Sequence, residues 1–340
     1  MAVIKWSNLI FAVIISAGLT VPSAIAASDQ IIIKVATIAP EGSAWDRKFR
    51  EMNQDLQEKT ENRVRYQIYP SGVAGDEKAV LSKIRIGQLD GGAFTGYGMG
   101  EILPEVRIFD LPFFLTDSDQ FHRVRAGLTP HFEKAFREKG YVLVGWVDLG
   151  SVYFYSAKPI NTLDALEKTK VWVWDGDTLA RYCWRKLGIT PVPLSIVDVM
   201  MGLQAGLVDT VYNTPLGAIS FQWFVQTRYH TTTPIGFFTA ALLVKEKQFE
   251  KLSPEDQELM LDLARDHFDE LNGLVEKQNI EALEVMEKRG VAAVKWSAAD
   301  DDALKVSAAR VCRELIGKQY PESLLREANR LKNAEPAVTP

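Results

Sequence analysis

The chain has 340 residues, 47% of them apolar, with 39 basic against 44 acidic side chains and a net charge of −5. That apolar share is too high for a disordered chain, and mild acidity without a basic stripe argues against nucleic acid as a partner. Roughly 310 residues beyond the first 26 exceed the size at which one core keeps growing, so two lobes are expected.

Residues 1–26 carry one basic residue, Lys5, then an apolar run from Leu9 to Leu19 and the small-residue exit Ala24-Ile25-Ala26. This is the layout of a cleavable secretory signal, with the mature chain starting at Ala27. The run is shorter than the roughly 20 residues that cross a bilayer. Export places the protein in the periplasm, where Cys183 and Cys312, the only thiols, are permitted to pair. Both fall in helical segments without motif spacing, so two separate buried thiols are the simpler expectation.

Ile31 to Ile38 has the character of a buried strand. A Pro40-Glu41-Gly42 turn follows, then a helix with Trp45, Phe49, Met52 and Leu56 at helical spacing. Val64, Tyr66 and Ile68 alternate with polar neighbours as a strand does. A helix through Val80, Leu81 and Ile84 closes at Gly87 and leads to Leu89-Asp90. The order β-α-β-α-β predicts a parallel sheet flanked by helices. It recurs once, from Thr190–Leu194 through a helix with Val199, Met200 and Leu203, closed by Gly206, to Leu207-Val208-Asp209. Two analogous α/β lobes are therefore expected, with ligand held where loops leave the carboxyl ends of the strands.

Tyr141–Ser156 and Phe237–Val244, rich in β-branched and aromatic residues, are the candidate crossings between lobes. Ser253-Pro254-Glu255-Asp256 opens a helix that continues to Gly290. About 36 residues would span on the order of 54 Å, unless the helix breaks at Gly273.

No C-x-x-C, H-E-x-x-H or phosphate-binding loop is present, which implies neither metal, cofactor nor catalytic set. Gly92-Ala93-Phe94-Thr95-Gly96 only outlines a nucleophile elbow, and its glycines fit a tight turn at a strand end. Asp300-Asp301-Asp302 is explained as favourable charge at a helix start. Asp175-Gly176-Asp177 has the form of a helix cap, the alternative being an acid that contacts ligand. His122, His131, His230 and His267 are scattered and form no cluster.

Several stretches carry a family resemblance. They are Ala39-Pro40-Glu41-Gly42, Tyr69-Pro70-Ser71-Gly72 with Gly75-Asp76-Glu77, Phe109-Asp110-Leu111-Pro112-Phe113-Phe114, Gly150-Ser151-Val152-Tyr153 with Lys158-Pro159-Ile160, Lys170-Val171-Trp172-Val173-Trp174, and Leu203 to Asn213. In this order, through nearly all of residues 31–320, the chain resembles DctP-type periplasmic receptors, the solute-binding subunits of tripartite ATP-independent periplasmic (TRAP) transporters. The resemblance implies an α/β, two-lobe periplasmic binding protein fold, with a cleft between the lobes and a long helix crossing both. One lobe would comprise 27–150 plus 238–277 and the other 151–237 plus 278–335. It also implies a non-catalytic protein that captures a small organic solute and delivers it to small and large membrane subunits, with an ion gradient driving uptake.

Carried over by position, the resemblance places Ala39, Pro40, Glu41, Phe94, Thr95 and Tyr97 of one lobe at the ligand, with Val152, Trp172, Trp174, Ile196 and Asn213 of the other. The family usually presents arginines at the positions of Val152 and Trp172, and the second clamps a substrate carboxylate through two charge-assisted hydrogen bonds. Replacing that cation removes about 2–5 kcal/mol of buried charge pairing. An apolar or aromatic-compatible ligand is therefore expected, with Trp172 facing a cleft and not a closed core. The alternatives are a dicarboxylate receptor using Arg181, Arg185 or another cation, a sensor adaptor for a signalling system, and an enzyme on the same fold.

Overall fold

Strand β1 (Ile31–Ala36) fully buries Ile33 and Val35 and turns Lys34 outward, the period-2 pattern of a pleated strand. The fold described here is a computed structural model that covers residues 30–334; the secretory signal expected at 1–26 lies outside the described residues. β1 ends two residues before the expected Ile38, where Thr37 Oγ1 accepts from the Ala39 N–H and Pro40 offers no ladder donor.

The remaining strands are β2 (Val64–Tyr69), β3 (Gly91–Thr95), β4 (Tyr141–Ser156), β5 (Trp172–Trp174), β6 (Val192–Leu194), β7 (Thr210–Asn213), β8 (Tyr229–Thr231), β9 (Gly236–Lys245) and β10 (Ala292–Val294). Eight of the ten form one mixed sheet in the order β10-β8-β4-β9-β3-β1-β2, with β7 also paired to β4. β1, β2 and β3 are parallel, as the β-α-β-α-β order requires, and with β9 and the start of β4 they build the first lobe. The end of β4 carries β7 and β8. β5 and β6 pair in parallel, and Val171 bridges to Thr210, which extends the second lobe in the same sense.

The recurrence seen in the sequence is structural. Lys34 N–H donates to Asp90 Oδ2 at 2.8 Å, and Asp90 N–H donates back to the Lys34 carbonyl at 2.8 Å. Lys170 and Asp209 repeat this in the second lobe, at 2.7 and 3.2 Å. Gly87 (φ 76°) and Gly206 (φ 68°) sit ahead of the two aspartates in left-handed conformation, which is where a residue with a Cβ is disfavoured.

β9 shows how the first lobe is filled. Ala240, Leu242 and Val244 pack with Phe49, Met52, Met260 and Phe268, while Ala241 and Leu243 join Phe94, Phe121 and Phe132 on the opposite face. A third cluster, around Trp172, Trp184, Val211 and Trp223, fills the second lobe.

The long helix is continuous from Pro254 to Lys288, about 52 Å of α-helix. Gly273 does not break it. Ser253 caps it by accepting from the Asp256 N–H at 3.1 Å, and Gly290 (φ 91°) follows its end. The β4–β9 register shifts between Asp148 and Gly150, where β4 turns through Gly150 at φ 107°. Asn279 of the long helix pins this bulge, donating to the Leu149 carbonyl and accepting from Leu216 N–H, both at 2.9 Å. A Cβ on Gly150 would fall 2.4 Å from Asn279 Nδ2, so the residue is constrained by both dihedral and space.

One expected boundary needs correction. The final helix, Glu322–Lys332, was expected in the second lobe, but its Leu324, Leu325 and Ala328 pack in the first-lobe core with Phe121, Val124 and Leu128. The Asp300-Asp301-Asp302 run is a helix start: Ser297 caps the helix Ala298–Glu314 by accepting from Asp300 N–H.

Candidate functional site

A cavity of about 170 Å³ lies between the two lobes. Ala39, Pro40, Thr95 and Tyr97 line it from the first lobe, and Trp172, Trp174, Ile196 and Asn213 from the second. Three positions carried over from the family pattern stand off its wall. Glu41 is exposed and pairs with Arg50 at 3.4 Å. Phe94 points into the first-lobe core, because alternation along β3 gives the cavity its neighbours Ala93 and Thr95. Val152 has no exposed surface and packs within the second-lobe core, its carbonyl accepting from Ile235 N–H.

Alternation in β5 puts Trp172 and Trp174 on the cavity wall and buries Val173 behind them. Trp172 is only 2% exposed. Its Nε1–H donates to the Leu194 carbonyl at 3.0 Å, and its ring packs 5.3 Å from both Tyr212 and Trp223. The expectation of a cleft residue outside the core is thus corrected: Trp172 is cavity wall and core at once. Trp174 stacks on Tyr97 of the opposite lobe at 5.2 Å. Asn213 Oδ1 accepts from Thr214 N–H at 2.8 Å, and Gly217 is where a Cβ would collide with that oxygen at 2.4 Å.

The lobes are fastened across the cavity by groups the sequence did not single out as a pair. Arg107, in the 3₁₀ turn Pro104–Asp110, donates through Nη2 to Asp177 Oδ2 at 2.8 Å and through Nη1 to Asp177 Oδ1 at 3.1 Å. Its Nε donates to Asp110 Oδ2 at 2.5 Å. Asp177 also caps the helix Thr178–Lys186 by accepting from Ala180 N–H, as expected of the Asp175-Gly176-Asp177 stretch. Tyr97 Oη–H donates to the Asp175 carbonyl at 2.9 Å, and Ser195 Oγ–H to Asp76 Oδ2 at 3.3 Å.

Burial works against the Arg107 charge, but Asp177 and Asp110 outweigh it and hold the guanidinium above its ordinary pKa. Burial pushes the Asp110 carboxyl up to about 6, with Arg107 opposing. Glu77 is pushed up to about 7 by burial, against the donors that bond its charged form. Those donors are Thr95 N–H (2.7 Å), Thr95 Oγ1–H (2.9 Å) and Gly98 N–H (2.7 Å). Arg107 is the one Lys, Arg or His on the cavity wall among the described residues. Arg181 and Arg185 do not reach it. Cys183 lines the cavity as a free thiol, raised to about 12 by burial, and Cys312 is a separate buried thiol.

The signal for Arg107 in the sequence is weak: an Arg and an Asp three apart inside an otherwise apolar run. Trp45, Trp184 and Tyr212 also reach the cavity and were not foreseen, since nothing local marks them off from core aromatics.

A family model described as bacterial extracellular solute-binding protein, family 7 (DctP), matches residues 35–319. The chain belongs to this family. A DctP relative named solute-binding protein, from Chromohalobacter salexigens, is 27% identical over 240 residues, 70% of each chain. The ectoine/5-hydroxyectoine-binding periplasmic protein UehA of Ruegeria pomeroyi is 24% identical over 252 residues, covering 70% of this chain and 74% of that one. Among solved structures, a TRAP periplasmic solute-binding protein from Sulfitobacter sp. NAS-14.1 with bound β-D-galacturonate superposes with a TM-score of 0.81. It is 24% identical, and the match covers 89% of this chain and all of that one. The chain thus has the two-lobe fold of TRAP periplasmic solute-binding proteins, and the named relatives it matches are solute-binding proteins, not enzymes. The family's description is that of an extracellular solute-binding protein.

Proposed function

We propose that the protein is the exported receptor of a TRAP-type secondary transporter, whose cleft takes a solute with an apolar or ring-bearing face. Residues 1–26 direct export and are cleaved. The first lobe comprises 27–150, 238–277 and the last helix, and the second comprises 151–237 with 278–321. Captured solute passes to the small and large membrane subunits. Ala39, Pro40, Thr95, Tyr97, Trp172, Trp174, Ile196 and Asn213 are the contact residues.

The observation that carries this reading is that, among the described residues, no free cation stands on the wall. Trp172 occupies the position where the family pattern has an arginine that clamps a carboxylate, and Arg107 is already engaged by Asp177 and Asp110. A carboxylate entering the cavity would have to displace one of these pairs or do without a cation. Indole and phenol faces offer instead dispersion and stacking. A conventional dicarboxylate receptor is disfavoured on the same ground. The sensor-adaptor alternative has no observation in its favour.

Calorimetry with succinate, galacturonate and neutral ring compounds tests the ligand class. Measurable affinity for ring compounds with none for succinate is expected. Tight succinate binding would overturn the proposal.

A further inference from the structure

We infer that the cleft takes a small organic cation that also carries a hydrogen-bond acceptor; the inference rests on the cavity described above being the solute site.

The charges on the wall do not balance. Asp46, Glu77, Asp110 and Asp177 line the cavity against the single guanidinium of Arg107. Asp46 is compensated from behind, since Arg50 Nε lies 3.1 Å from both its oxygens and Arg50 is not on the wall. Arg107 bonds two carboxylates but carries one charge. Glu77 accepts only from neutral donors of Thr95 and Gly98. Two negative charges therefore face the cavity without a matching cation when both carboxyls are ionised. Burial leaves both with raised proton affinity, which a positive ligand group would relieve.

The aromatic wall has the same sign. The faces of Trp172, Trp174 and Tyr212 are negative in the ring quadrupole, and such surfaces recognise ammonium-type groups. A second, independent observation concerns Trp174. It is 8% exposed and lines the cavity, and its Nε1–H is buried without any partner. A buried donor left unpaired is costly, so a ligand oxygen bonded there would recover that cost. Carboxylates around a positive group, with a neutral N–H for an acceptor, reverse the polarity of a carboxylate clamp.

The test is a shape-matched series on the wild-type protein, read by calorimetry. 1,1-Dimethyl-4-oxopiperidinium and 4,4-dimethylcyclohexanone have nearly the same shape and the same ketone acceptor and differ in charge. Cyclohexanecarboxylate and succinate complete the series. The cation should bind at least about tenfold more tightly than the ketone, and the anions most weakly. Glu77→Gln should shrink the cation's advantage over the ketone several-fold, and an undiminished advantage in the folded variant would overturn the charge inference; if that variant does not fold, the wild-type series decides alone. A ketone that binds as tightly as the cation overturns the charge inference while the apolar reading of the cleft stands. Preference for succinate or cyclohexanecarboxylate, or no binding by any of the four, overturns both.

Discussion

Arg107 and Asp177 meet as a two-pronged ion pair, at 2.8 and 3.1 Å, from opposite sides of the cavity. The planar guanidinium fits the carboxylate fork, which a lysine would not reproduce. Because Asp177 also caps the helix Thr178–Lys186, the pair ties the first lobe to the start of a second-lobe helix.

Arg107→Met leaves Asp110 and Asp177 buried without their cation. A loss of about 3–5 kcal/mol is expected in equilibrium denaturation. Asp177→Asn keeps an oxygen for the Ala180 cap but gives up the charge. X-ray scattering of either folded variant should show a larger radius of gyration than wild type, because a contact made only with the lobes together is gone. Wild-type stability and radius in both variants would show that the pair does not hold the lobes.

Glu77 and Asp110 set a pH dependence with a definite sign. Their native pKa values, about 7 and about 6, lie above the ordinary carboxylate range. Between the two ranges the native state holds protons that the unfolded chain has released, so stability falls as pH rises from about 4 to 7 and levels off above. Glu77 contributes on the order of 3 kcal/mol to that fall. The stability of wild type relative to Glu77→Gln should therefore decline between pH 5 and pH 8. A difference that does not vary with pH would contradict the assignment.

Much of this fold is legible in the sequence because it depends on local pattern. Alternation marked β2, a wealth of β-branched and aromatic residues marked β4 and β9, helical spacing marked the helices, and the two Gly-x-x-Asp stretches marked the repeat that the Lys34–Asp90 and Lys170–Asp209 hydrogen bonds confirm. The cavity is less legible because it is assembled from side chains remote in sequence. Arg107 and Asp177 are 70 positions apart, and neither has a local feature that announces the other. Family position alone also misplaced Phe94 and Val152 at the wall, because the pleat turns Phe94 inward and Val152 is enclosed by its neighbours.

Trp172 joins two roles, which one substitution cannot separate. Trp172→Ala should destabilise by about 3–5 kcal/mol as a buried indole is removed, so its loss of binding would be ambiguous. Trp172→Phe keeps an aromatic face, gives up the Leu194 hydrogen bond, and should cost less stability. If the wall contacts ligand, the Phe variant retains most of the affinity for ring compounds and a folded Leu variant loses about 10-fold. Equal affinities in wild type, Phe and Leu variants would show that Trp172 serves packing alone.

Asn279 holds the bulge at Gly150 with two hydrogen bonds. Asn279→Leu leaves the Leu149 carbonyl and Leu216 N–H without those partners, and a cost of about 1–3 kcal/mol for each buried unpaired group is expected. Hydrogen exchange should quicken at Leu216. Unchanged exchange and stability would show that water replaces the amide at no cost.

This member of the DctP family is expected to hold its solute without a carboxylate clamp. The measurement is native mass spectrometry of protein taken straight from the periplasm, with the bound molecule released and identified. A ring-bearing solute with no net negative charge is the expected result. A dicarboxylate or sugar acid retained at full occupancy would contradict it.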